Sequence, residues 1–254
     1  LYDLSLEGTL TLSSQAFHNQ WVMGSLAEDP KWADVTPIPF DEGPAPVLPI
    51  KYPAQYSEAI GYLRAVLQSE EVSTRVYYLC QDILAINPGH DTTWALKRRC
   101  LFNPDLGLDL ESEIITVNAL LLGMPKNFQV WNHRRRLIER TGPTPNTGQD
   151  TSELAFVTRI LTRCDSKNYH AWCHRQWVVE TWPEMLCEGE WESVDKLIAL
   201  DVRNNSAWSY RRMLTKRTGR ALSGEMAVCH AAVSKAPNNE SSWNYAMALV
   251  DLWG

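Results

Sequence analysis

Three side chains in this sequence stand at a metal-ligand spacing: His170, Cys173 and His174 occupy positions i, i+3 and i+4. On a helix that spacing puts three potential ligands on one face. The glutamate of an HExxH pair is missing, so the trio is not that zinc signature. The corresponding slots of two sister segments hold Gln129, Asn132 and His133, and Ser206, Ser209 and Tyr210. An internal repeat therefore explains the spacing, and no metal bound by this chain is expected. Cations also cluster. Residues 126–136 carry four basic and no acidic side chains, and residues 203–217 carry five and none. Such stretches suit an anionic group or an acidic partner surface, or else arginines that satisfy carbonyls and carboxylates inside the fold. There is no Gly-rich phosphate loop and no GxSxG elbow.

The elements that must position these groups are bounded by composition. The chain has 254 residues, 44% hydrophobic and 21% charged, which is ordinary for a globular protein. A net charge of −6 does not propose nucleic acid as the partner. Purely apolar runs such as 119–122 fall far short of the roughly 20 residues of a membrane span. Residues 1–20 lack the basic start and apolar core of a secretory leader. The first residue is Leu, which fits a piece of a longer chain. The cysteines at 80, 100, 164, 173, 187 and 229 form no CxxC pair, and reduced thiols in a cytoplasmic protein are expected.

Eleven tryptophans are the compositional outlier, and five of them set the organisation. Trp94, Trp131, Trp172, Trp208 and Trp243 are separated by 37, 41, 36 and 35 residues. A period of this size marks a helical-hairpin array. An Asn stands four before the Trp at Asn127, Asn168, Asn204 and Asn239, and an Arg three or four after it at Arg98, Arg134, Arg175 and Arg211. Asn is a strong helix N-cap. Trp and Arg then lie one turn apart on the same face. Amphipathic stretches at 110–122, 152–163, 190–200 and 222–235 separate the motif helices, and an earlier pair, 54–68 and 73–86, extends the array.

The pattern predicts an all-α, right-handed superhelical solenoid of antiparallel helical hairpins, TPR-like, over residues 54–254. Trp131, Trp172 and Trp208 are expected to pack hairpins together, and the arginines to bind carbonyls or carboxylates of a neighbouring repeat. Residues 1–53 form an N-terminal lead and an extended Pro-rich arm. Seven prolines lie in 28–53, and Trp32, Val35, Ile38, Phe40, Val47 and Ile50 are expected to be buried. Residues 141–150 read as a loop.

The segments KNFQVWNHRR, KNYHAWCHRQW and DVRNNSAW resemble the protein prenyltransferase α-subunit repeat. The arm WADVTPIPFDEGPAPVLPIKY, followed by YLRAVLQSEE, looks like the N-terminal lead of the α subunit shared by protein farnesyltransferase and type I geranylgeranyltransferase. The resemblance runs from about Asp29 to Tyr245. It implies a crescent of hairpins wrapped around a β subunit, inactive without it. The complex would transfer a farnesyl or geranylgeranyl group from its diphosphate to a cysteine thiolate near the C-terminus of a CaaX protein. Zinc, held by the β subunit, would supply the thiolate, and magnesium would serve the holoenzyme.

The resemblance also implies roles for residues. Lys126 matches the family's lysine facing the diphosphate, a cation beside free N–H groups at a helix start. Gln129 matches a glutamine that meets the peptide carboxylate. Tyr169 and His170 match residues lining the mouth of the diphosphate and isoprenoid site, with Asn168 beside them mainly as a cap. Phe128 stands where the family usually has Tyr, and Asp91 where an aromatic is usual. The chain ends inside the fifth motif helix, where relatives usually continue, so an uncovered apolar face around Trp243 and Leu249 is expected. The alternative is a non-catalytic helical-repeat scaffold, or a divergent α-like subunit, that binds a partner protein. The joint presence of Lys126, Gln129, Tyr169 and His170 favours the enzyme subunit.

Overall fold

The computed structural model describes residues 25–41, 43–44, 51–144, 152–186 and 188–253. Val47, Ile50 and most of the 141–150 loop lie outside the described residues. Eleven α-helices run along the described chain: α1 (Ala54–Gln68), α2 (Thr74–Ile86), α3 (Asp91–Leu101), α4 (Leu110–Gly123), α5 (Phe128–Thr141), α6 (Glu153–Arg163), α7 (Tyr169–Thr181), α8 (Glu188–Leu200), α9 (Asn205–Thr218), α10 (Leu222–Lys235) and α11 (Glu240–Trp253). The described residues contain no strand. The chain divides into two compact units, one of Leu1–Gly123 with Asn127–Leu137, the other of Met124–Lys126 with Ile138–Gly254.

In the first unit α2 packs on both α1 and α3. The hairpin that carries Trp94 is therefore α2–α3, and α1 takes the arm. Gly61 of α1 makes that approach. Its carbonyl accepts from the Ile38 N–H at 3.0 Å, and a Cβ at this position would stand 3.2 Å from Pro37. Arg64 donates to the Ile38 carbonyl, and Arg75 pairs with Asp34 and Glu71. Trp32 is buried, edge-on to Tyr62. Val35 and Ile38 are half-buried. Phe40 departs from expectation: it is 51% exposed, and its ring lies under the Arg64 guanidinium at 4.9 Å. A cation–π contact needs one face of the ring covered, not both.

In the second unit α6 packs on α7, α8 on α9 and α10 on α11. The motif helices also contact one another in turn, α7 on α9 and α9 on α11, and α6 contacts α8. The tryptophans do the stacking. Trp172 meets Tyr210 at 5.4 Å and Trp208 meets Tyr245 at 5.3 Å. Trp94 meets His133 in the first unit at 4.7 Å. Trp131, Trp172 and Trp208 are all buried.

Each capping asparagine has two tasks. Asn204 Oδ1 accepts from the N–H groups of Ser206 and Ala207 at the start of α9. Its Nδ2 donates to the Ser166 carbonyl, which also accepts the Trp172 indole N–H. Asn239 and Trp208 share the Val202 carbonyl in the same way, as do Asn127 and Trp94 with the Pro88 carbonyl. One carbonyl per turn thus ties a hairpin to its successor.

A buried glutamate completes each joint. Glu190 takes Arg175 and Tyr210, and Glu225 takes Arg211 and Tyr245. Glu113 takes Lys97, Tyr77 and His133. Arg175 and Arg211 thus bind carboxylates of the neighbouring hairpin, and Arg134 donates to Asn118 Oδ1. In the first motif Lys97, not Arg98, fills the buried slot. The expected face around Trp243 is also corrected in part: Trp243, Met247 and Val250 are exposed, but Leu249 is fully buried.

Candidate functional site

The second unit brings four of the candidate residues to the start of α7. Lys126 lies in the turn that leads into α5, and its side chain is 76% exposed. Its Nζ reaches Asp165 Oδ2 at 3.1 Å. Asp165 is fixed in turn, because its Oδ1 accepts the Lys167 N–H at 2.9 Å. That backbone hydrogen bond and the Lys126 ammonium hold the Asp165 carboxyl below the usual carboxylate range.

Asn168 is buried. Its Oδ1 caps α7 through the Ala171 N–H, and its Nδ2 donates to the Pro125 carbonyl at 2.9 Å. The cap expected from the sequence is therefore also a tie to the residue before Lys126. Tyr169, first residue of α7, is 75% exposed, with its ring edge-on to His170 at 5.6 Å. The exposed Cys173 thiol, one turn on, pushes the Tyr169 pKa up. His170 is half-buried.

Gln129 belongs to the first unit. Its N–H is capped by Asn127 Oδ1. Its own Oε1 is buried and has no hydrogen-bond partner among the described residues. Phe128, beside it, is exposed. Asp91 sits in the first turn of α3, where a negative charge suits the helix dipole.

The residues with metal-ligand spacing do not converge. His174 turns inward and meets the buried Glu153 at 2.6 Å, whereas Cys173 stays on the surface beside Tyr169. Among the described residues no group of three or more His, Cys, Asp or Glu could hold a metal ion.

Sequence reasoning passed over Asp165 and Lys167. The signal was there: an Asp stands three before the capping Asn at Asp165 and again at Asp201. Lys167 pairs with Asp201 at 3.0 Å as Lys126 pairs with Asp165. Chemically, the start of α7 offers an exposed ammonium, a polar aromatic and an imidazole beside the positive end of a helix, a setting for an anionic group.

Four successive segments, 110–141, 150–182, 187–218 and 222–253, match the protein prenyltransferase alpha subunit repeat. The α subunit of protein farnesyltransferase/geranylgeranyltransferase type-1 from Dictyostelium discoideum is 35% identical over 246 residues, covering 88% of this chain and 70% of that protein. The chain belongs to the protein prenyltransferase α-subunit family. The corresponding subunit of Pisum sativum is 38% identical over 231 residues, covering 87% of this chain and 65% of its own length. This prenyltransferase α-type chain thus spans about two thirds of such relatives.

Its fold is also that of a Candida albicans protein geranylgeranyltransferase-I complexed with GGPP. The TM-score is 0.78 at 28% identity, over 89% of this chain and 76% of that one. The four matched repeats coincide with the hairpins α4–α5, α6–α7, α8–α9 and α10–α11. The α2–α3 hairpin lies outside the matched segments, yet its Trp94 stacks on His133 and its Lys97 meets the buried Glu113 in the same way. No helix among the described residues is long and apolar enough to cross a membrane.

Proposed function

We propose that this chain is the α subunit of a cytoplasmic, heterodimeric CaaX protein prenyltransferase. The reaction joins the thiolate of a cysteine to C1 of an allylic isoprenoid diphosphate. The carbon–oxygen bond breaks, and diphosphate leaves with the electron pair. The observation that carries the reading is the setting of Lys126: an exposed ammonium held at the start of α7, beside the exposed Tyr169 and the half-buried His170. A fixed cation there stabilises the charge that grows on the departing diphosphate, and it does so without reorganising at the moment of reaction.

Tyr169 and His170 stand at the same helix start and orient the diphosphate end of the isoprenoid. Asn168 acts through the backbone, as the cap of α7 and the tie to Pro125. Gln129 offers its amide to the C-terminal carboxylate of the peptide; its buried, unpartnered oxygen leaves the –NH2 end for that contact. In this reading zinc belongs to the β subunit and supplies the thiolate. Among the described residues of this chain no donor set for it is assembled.

A second reading, a helical-repeat scaffold, is favoured by one observation. The Lys126–Asp165 pair has a repeat-related copy in Lys167–Asp201, so repeat geometry alone accounts for it. The test is co-expression with farnesyltransferase and type I geranylgeranyltransferase β chains, then a CaaX-peptide assay with each isoprenoid diphosphate. Co-elution with turnover, slowed about 100- to 1,000-fold by Lys126→Ala, supports the enzyme. Co-elution without turnover by any pair supports the scaffold.

A further inference from the structure

We infer that Asp165 is the positioning residue for Lys126, an assignment that rests on the prenyltransferase reading above. A lysine on an exposed loop has four rotatable bonds and no fixed address. Lys126 is tied at both ends. At the root, the carbonyl of Pro125, one residue before it, accepts from Asn168 Nδ2 at 2.9 Å. At the tip, its Nζ meets Asp165 Oδ2 at 3.1 Å. Both ties come from the single turn 165–168 that opens α7. That turn is itself closed by the Asn168 N–H on the Asp165 carbonyl and by the Lys167 N–H on Asp165 Oδ1.

The carboxylate that meets the ammonium is therefore not a free surface side chain. It is aimed by the backbone that also sets Tyr169 and His170. An exposed ion pair contributes little to stability. Its consequence is geometric: it removes rotamers in which Lys126 points away from α7, so the ammonium waits where an anion beside Tyr169 would need it. A lysine ammonium has three N–H donors, so the contact with Asp165 Oδ2 leaves donors for an anion while the pair persists.

The repeat supplies an internal control. Asp201 is held by the Arg203 N–H at 2.9 Å and pairs with Lys167 at 3.0 Å, the same construction one hairpin later. Any structural value of the motif is shared by both aspartates. An effect passed through Lys126 belongs to Asp165 alone.

The experiment uses the heterodimer and single-turnover transfer at saturating isoprenoid diphosphate, with melting temperature measured in parallel. Asp165→Asn keeps the acceptor for the Lys167 N–H and removes the charge. The expected result is a rate about tenfold lower with assembly and melting unchanged, partly restored in Asp165→Glu. Asp201→Asn should leave the rate within about twofold. In the Lys126→Ala background Asp165→Asn should have no further effect, because the residue acts only through that lysine.

A wild-type or faster rate for Asp165→Asn, or an undiminished loss in the Lys126→Ala background, overturns the positioning role while leaving the enzyme reading intact. A Lys126→Ala enzyme as fast as wild type removes both the lysine and Asp165 from the mechanism. Absence of transfer with every β chain overturns the enzyme reading and this assignment with it.

Discussion

Arg175 and Glu190 meet fork to fork: Nε reaches Oε1 and Nη2 reaches Oε2, each at 2.7 Å, with both side chains out of water. The Tyr210 hydroxyl donates to the same carboxylate, so one glutamate of α8 joins α7 to α9. Removing it leaves a guanidinium buried and uncompensated. Glu190→Ala is expected to cost about 3–5 kcal/mol, a large part of an ordinary domain's stability. Urea denaturation of the heterodimer, or the yield of soluble complex, reads this loss. A cost under 1 kcal/mol would show that the joint does not hold the hairpins.

His90 stands where four sister motifs have Asn, and it caps α3 through Nδ1, which accepts the Thr93 N–H. A cap of this kind requires unprotonated Nδ1. Burial, the largest cause, lowers the His90 pKa. The unfolded chain, with His near 6.5, therefore takes up the proton first as pH falls. The stability linked to His90 is complete above about pH 6.5 and is lost progressively below it, toward the lowered native value. His90→Asn keeps the cap and removes this loss. The variant's melting temperature should match wild type at pH 7.5 and exceed it at pH 5.5. Parallel curves at both pH values would reject the assignment.

Asn204→Ala removes two contacts at once, the cap of α9 and the donor to the Ser166 carbonyl. The cap alone contributes about 1 kcal/mol. The carbonyl retains the Trp172 indole, so its desolvation is only partly exposed. A total of about 2 kcal/mol is expected, measured by chemical denaturation. A loss of a few tenths would mean that the inter-hairpin donor is idle.

Gly61→Ala places a methyl group against Pro37 at 3.2 Å, where the neighbour is ring and backbone with little room to give. The arm should shift from α1, at a cost of about 1–3 kcal/mol. Limited proteolysis between Asp34 and Asp41 should become faster. An unchanged cleavage rate would show that Gly61 is not what admits the arm.

The hairpin period, the caps and the burial of the tryptophans were legible because they are local. A cap acts within three residues, and a helical face repeats every 3.6. The buried glutamates were not singled out, although each stands eighteen or nineteen positions before a motif Trp. Glu190 and Glu192 lie on the same helix, and only the packing of its neighbours makes one a buried joint and leaves the other exposed. Phe40 misled for a related reason: an aromatic in an extended arm reads as core, and only the position of Arg64 made one covered face sufficient.

The sequence by itself determined the class of fold, the spacing of its units and, through the resemblance of its motifs, the family. These follow from short-range rules and from residue identity. The tertiary structure decided which side chain fills each slot. Residues three and four after a helical Trp lie about 60° and 40° to either side of it. The choice of Lys97 over Arg98 therefore needed Glu113 in place. It also decided what Lys126 touches. Asp165 is thirty-nine positions away in the chain, and no local rule reaches that far. The two meet because Asn168 ties the turn before α7 to Pro125, which brings the carboxylate within reach of the ammonium.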